Sequence, residues 1–196
     1  MLRRGWMMSR NKEQLKKLIL GILNLNGATQ KVKLAKLILF SDIEHYKKTG
    51  KSITELHYIK LHKGPVISFF DEIIEEGEND LWDMSVKKIP VYEKGMMMNQ
   101  YDYQAKTPHD LRSEEVETIK KVIEKYGKMT GTQLSAISHN LPAWLHSELN
   151  EPIHISELAI DKEDEYFAFI DILEELDEQQ GESDLEDQLS RRISEG

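Results

Sequence analysis

Gln30 to Gly50 reads QKVKLAKLILFSDIEHYKKTG, and the fold turns on this stretch. Its middle, Leu34 to Phe40, is apolar on most faces of a helix, so the spacing predicts a buried central helix over 30–49. Lys47 and Lys48 suit the negative end of that helix, and Gly50 is placed to close it in a left-handed conformation. The apolar run is broken by Lys36 and is far too short to span a bilayer.

Working outward, Leu15, Leu18, Ile19, Ile22 and Leu23 form one stripe of a helix over 11–26, ended by Asn26-Gly27. Residues 56–62 alternate loosely and predict a short strand. Gly64-Pro65 then turns the chain, with Pro65 at the first position of a third helix running to Glu76. Residues 79–104 read as loops with a small hairpin. Ser113 is placed to cap a fourth helix that Gly127 ends, and Thr130 with Gln133 forms a capping box for a fifth, ending near Asn140-Leu141-Pro142. A last helix fits 162–176, capped by Asp161. The expected class is mainly α (α+β): one helical domain over 11–176 with a short strand and small hairpin insertion, an N-terminal extension over 1–10 and an acidic tail over 177–196.

With 39% apolar and 31% charged residues in 196, the chain is able to build one core. It has no cysteine, which excludes disulfides, thiolate metal sites and cysteine nucleophiles, and which fits a reducing cytosol. No apolar run follows Met1 to Arg10 in the manner of a signal peptide. A cytoplasmic location is therefore expected. The net charge of −9 is uneven: residues 1–36 hold nine Lys or Arg against Glu13 alone, whereas residues 174–196 hold nine Asp or Glu against Arg191 and Arg192. An acidic body and tail repel nucleic acid over most of the surface and attract a basic protein; the basic first helix is the exception.

The residues able to carry chemistry do not assemble into a catalytic pattern. His57 and His62 fall on opposite faces of a strand, Pro142 interrupts any helix joining His139 to His146, and no H-E-x-x-H pair occurs, so neither metal nor cofactor is expected. Asp42, His45 and Tyr46 share a helix face, either as a polar patch for a partner or, more simply, as a hydrogen-bonded helix end that orders the next turn. Ser138-His139 lacks the nucleophile elbow of a serine hydrolase. His139 is expected to brace a helix end while Trp144 packs on the core or anchors an interface. Helices four and five are spaced like a helix-turn-helix, but the second carries no Arg or Lys to meet DNA.

Two blocks resemble the Panacea domain, also called the SocA-like antitoxin domain. The first is Lys33 to Tyr46, then Gly50 to Thr54, then the strand leading into Gly64-Pro65-Val66. The second is Leu111 to Trp144, with the Ser-Glu-Glu helix start at Ser113, Tyr126-Gly127, Leu134-Ser135, Ser138-His139 and Pro142-Ala143-Trp144. Arg112 departs from the pattern. The resemblance spans roughly residues 10–160 and implies a mainly helical domain without catalytic activity. Members neutralise unrelated protein toxins by direct binding, at least one type delivers its toxin to a protease, and many occur on phages and prophages.

The expected function is thus that of an antitoxin and not an enzyme, silencing a toxin encoded by a neighbouring gene, with the acidic tail able to occupy a basic cleft. A homo-oligomer is left open, and no membrane partner is expected. The residues offered as partner-binding are Asp42, His45, Tyr46, His62, Gly64, Pro65, His139 and Trp144. The alternative is a nucleic-acid-binding regulator using the basic first helix.

Overall fold

The computed structural model describes residues 2–93 and 96–160, with side chains placed for 9–90 and 100–160. The class is α+β. Among the described residues there are seven helices and six strands. The last helix expected over 162–176 and the acidic tail lie outside the described residues.

Helix α1 covers Leu2–Asn26, beginning nearer the start of the chain than its apolar stripe, and α2 covers Lys31–Thr49. Every residue from Leu34 to Ile43 is buried, so α2 is the axis of the core. Gly50 ends it at φ 74°, donating its N–H to the Tyr46 carbonyl. The apolar stripe of α1 is fully engaged: Leu15, Leu18, Ile19 and Ile22 are buried in the same core as Leu34, Leu37 and Ile38. Phe40 stacks on Tyr126 with ring centroids 4.5 Å apart, joining α2 to α4, which covers Ser113–Tyr126.

Two small antiparallel sheets flank the helices. One has the order β1-β5-β4, where β1 is Thr29–Gln30, β4 is Met84–Glu93 and β5 is Met96–Ala105. The other has the order β3-β2-β6, where β2 is Tyr58–Leu61, β3 is Gly64–Ile67 and β6 is Pro152–Ile153. The short strand expected at 56–62 is therefore present as β2. The remaining helices are α3 (Phe70–Glu78), α5 (Gly131–Ser138), α6 (Pro142–His146) and α7 (Ile155–Leu158).

Three local expectations are corrected. Pro65 does not open a helix. It lies in β3, opposite Lys60, and α3 starts five residues later. An edge strand tolerates a proline because one side of it needs no N–H donor, and β3 is an edge. The insertion at 79–104 is not mostly loop: β4 and β5 pair over ten residues each, from Met84↔Ala105 to Glu93↔Met96. Pro90 again sits on an edge strand. Ser113 is the first helical residue of α4 and not its cap; Arg112 holds the cap position, and the Glu115 carboxylate accepts from its backbone N–H at 2.8 Å. The Thr130–Gln133 capping box forms as expected, with both reciprocal hydrogen bonds present.

Candidate functional site

Asp42 lies wholly inside the protein. One carboxylate oxygen accepts from the backbone N–H groups of Ile53 (2.8 Å) and Thr54 (3.2 Å), and the other from the Thr54 hydroxyl (2.6 Å) and the Tyr58 hydroxyl (2.8 Å). Four donors converge on one side chain, so Asp42 fixes the path from α2 into β2. Burial pushes its carboxyl up to about 6, against the donors, which favour the anion. His45, one turn on, is also buried, with Nδ1 3.2 Å from the Thr118 hydroxyl. That hydroxyl donates to the Glu114 carbonyl at 3.1 Å, which leaves His45 Nδ1–H as the donor to Thr118. Burial lowers the His45 pKa. Tyr46 is half-buried against the core. These three side chains order the interior and do not form an exposed patch.

The other expected residues gather on the opposite part of α2. A two-residue turn, His62-Lys63, joins β2 to β3, and Gly64 follows it at φ 95°, a conformation that favours glycine. A Cβ at Gly64 would stand 2.1 Å from Ser138 Oγ and 2.7 Å from Lys36 Nζ, so the hairpin closes directly onto α2 and α5. Lys36 is buried and its ammonium donates to the Pro65 carbonyl at 2.8 Å. Ser138 is also buried and donates to the Ser135 carbonyl, while the Ser135 hydroxyl donates to the Lys63 carbonyl at 2.5 Å.

Helix α6 fastens the other strand of the same hairpin beside its turn. Pro142 occupies its first turn, and Trp144 Nε1 donates to the Leu61 carbonyl at 3.1 Å. His139 stacks on the Trp144 ring at 4.1 Å, and Lys60 Nζ lies 4.7 Å from the centroid of that ring while donating to the Ser147 carbonyl. His139 Nε2 is buried and has no hydrogen-bond partner among the described residues. His62, Gly64, Pro65, His139 and Trp144 are thus one neighbourhood, made by contacts spanning about eighty residues of chain.

Sequence reasoning missed Lys36, whose place within an apolar run is the signal that it goes inside. Burial pulls its pKa down to about 7. The folded chain therefore holds this proton less tightly than the unfolded chain, and stability rises as pH climbs from about 7 towards the ordinary lysine range. Lys36→Met should remove that rise and gain about 1–3 kcal/mol near pH 7, because a buried charge with little compensation is replaced by an apolar side chain of similar length. Urea unfolding of both proteins at pH 7 and pH 9 checks this; a Met variant that keeps the wild-type pH slope would refute it.

Beside Lys36 a cavity of about 530 Å³ opens between α2, the β2–β3 hairpin, α3 and residues 149–150. A second cavity of about 460 Å³ is polar and includes Arg10, Lys17, Glu55 and Asp110 in its lining. Among the described residues no cluster of three His, Asp or Glu is placed to hold a metal ion, and no helix is long and apolar enough to cross a membrane.

Four of the nine basic residues in 1–36 pair with the chain's own carboxylates. Lys12 pairs with Glu72, and Lys16 with Glu76 at 2.9 Å, so residues four apart on α1 meet residues four apart on α3. Lys17 pairs with Asp110 and Lys31 with Asp71, each at 2.7 Å. Lys33 donates to the Gly127 carbonyl.

No curated protein and no solved structure matches the chain. The family model of the SocA-like antitoxin, Panacea domain, matches residues 34–145. That match runs from the buried core of α2 through the hairpin neighbourhood to α6, and covers more than half of the 196 residues. The chain belongs to the SocA-like antitoxin family, Panacea domain.

Proposed function

We infer that this protein is an antitoxin that neutralises a protein toxin by binding it directly. The family match over residues 34–145 carries the reading. The toxin-facing surface is built on the hairpin and on α5–α6, with His62, His139 and Trp144 at the surface and the buried Gly64 and Pro65 shaping the turn beneath them, while Asp42, His45 and Tyr46 act from inside by fixing α2 and the start of β2. The pairing of Lys12, Lys16, Lys17 and Lys31 with carboxylates supports a protein partner over a nucleic acid, because those cations already have counter-charges. Calorimetric titration of the purified chain with the product of the adjacent gene should give a saturable complex whose affinity falls with salt far less steeply than that of a nucleic-acid complex. No heat with that protein, together with RNA or DNA binding that weakens steeply with salt, would favour the nucleic-acid regulator instead.

The acidic residues 177–196 contribute a second, electrostatic contact to a basic cleft of the toxin. Deleting them should slow association and weaken binding by about tenfold, the effect shrinking at high salt; an unchanged association rate would assign the tail no part in neutralisation. Blocking and proteolytic delivery are separated by the lifetime of the toxin in cells, which shortens on co-expression if the chain acts as an adaptor.

A further inference from the structure

The cavity beside Lys36 combines an apolar lining with a charge that runs against the rest of the protein. Val32, Leu61, Val66, Phe70 and Leu149 supply its apolar wall. Leu149 is 45% exposed and extends the apolar surface into solvent. The charged residues of the lining are three lysines, Lys31, Lys36 and Lys63, against Asp71 alone, in a chain whose net charge is −9.

Those lysines are not equivalent. Lys31 is neutralised by Asp71 at 2.7 Å. Lys36 meets a single neutral acceptor among the described residues, the Pro65 carbonyl. Lys63 is exposed, and among the described residues its ammonium has no partner. The cavity therefore offers apolar surface together with one positive charge at its rim, Lys63, not yet matched by a carboxylate. Its walls are also fixed in advance: the hairpin is tied down through the Leu61 carbonyl to Trp144, the Lys63 carbonyl to Ser135, and Lys60 to Ser147 and Asn150. A preformed pocket of this volume takes a ligand group without a large ordering cost.

We propose that this cavity is the anchor point for the toxin, receiving a large apolar side chain from a segment that carries a carboxylate beside it. The proposal rests on the antitoxin reading and adds the surface and the chemistry of the partner. The apolar side chain fills the space against Val32, Leu61 and Phe70, and the carboxylate pairs with Lys63 at the turn. A nucleic acid fits less well, because a phosphate backbone calls for a row of exposed cations and gains nothing from the leucines and valines of the wall. Such a buried apolar group beside one charge pair is the pattern of an interface hot spot.

The test uses the full chain, the product of the adjacent gene as probe, and two substitutions at exposed positions, Leu149→Asp and Lys63→Glu. Leu81→Asp, at a leucine that is 70% exposed and lies outside the cavity, serves as control. Thermal unfolding first establishes that all three variants keep wild-type stability. Each cavity variant should weaken the complex at least about tenfold and the pair about a hundredfold, with the control unchanged. The Lys63→Glu loss should shrink as salt rises, whereas the Leu149→Asp loss should persist. Wild-type affinity in both cavity variants would overturn the anchor while leaving the antitoxin reading intact. Absence of any complex with the wild-type chain would remove that reading and the anchor with it. Binding of an RNA that both substitutions abolish would replace the protein segment by a nucleic acid and overturn the proposal.

Discussion

Asp42→Ala is expected to destabilise the protein by about 3–5 kcal/mol, the range for breaking a buried, fully hydrogen-bonded charge network. The cause is less the lost carboxylate than the donors it leaves behind. The N–H groups of Ile53 and Thr54 and the hydroxyls of Thr54 and Tyr58 all point at Asp42, and Thr54 and Tyr58 are themselves fully buried. Without their acceptor they stand unsatisfied in the interior, where each costs about 1–3 kcal/mol. Tyr58→Phe removes one donor together with its need and should cost only about 1–2 kcal/mol. The double variant should lose less than the sum, since the two side chains share one bond. The pH dependence follows from the raised pKa of Asp42, about 6. The folded chain binds this proton more tightly than the unfolded one, so this group's contribution is largest near pH 4 and declines as pH rises towards 6. Asp42→Ala should abolish that decline. Urea unfolding of the three variants at pH 4.5 and pH 7 measures both effects, and a loss below about 1 kcal/mol for Asp42→Ala would contradict the role given to it.

Gly64→Ala is the second large effect, expected at about 2–4 kcal/mol from two separate sources. A side chain at φ 95° is strained whatever surrounds it. The added Cβ would also stand 2.1 Å from Ser138 Oγ and 2.7 Å from Lys36 Nζ, well inside van der Waals contact. Lysine is long enough to withdraw its end; the Ser138 hydroxyl is on a short side chain in a fully buried site. Combining Gly64→Ala with Ser138→Ala should therefore recover part of the loss, leaving the backbone strain. If the double variant is no more stable than the single one, the hairpin does not close on α5 in the manner described. The same substitution moves the hairpin that lines the cavity, so it should weaken toxin binding as well as stability, unlike Leu149→Asp, which should affect binding alone.

What the sequence discloses depends on whether the deciding partner is near or far along the chain. The core of α2 was legible because Leu34 to Phe40 is apolar around the helix, and its end because Gly50 is placed to close it. The Thr130–Gln133 box was equally legible, being three residues wide. Pro65 was not, since a proline after glycine reads alike as a helix start and as an edge strand. What settles it is pairing of Gly64–Ile67 with β2, which pairs in turn with residues 152–153. The β4–β5 hairpin is hidden in the sequence by Pro90, and its length is set by twenty residues of mutual pairing. The candidate site was half legible. The sequence points to His62, Gly64 and Pro65, and to His139 and Trp144, but their meeting depends on Trp144 reaching the Leu61 carbonyl across the chain. Lys36 reads in the sequence only as an interruption of the apolar run. A lysine on a helix normally extends its head into water, and only β3 and α5 closing over it make it a buried cation.

The chain belongs to the SocA-like antitoxin family, and the central claim is that it neutralises the product of the adjacent gene. The most direct measurement is bacterial growth with the adjacent gene induced, alone and together with this chain. Arrest by the neighbour alone, relieved by the wild-type chain, is the expected result. A neighbour that does not arrest growth, or an arrest that the chain leaves untouched, would contradict the claim.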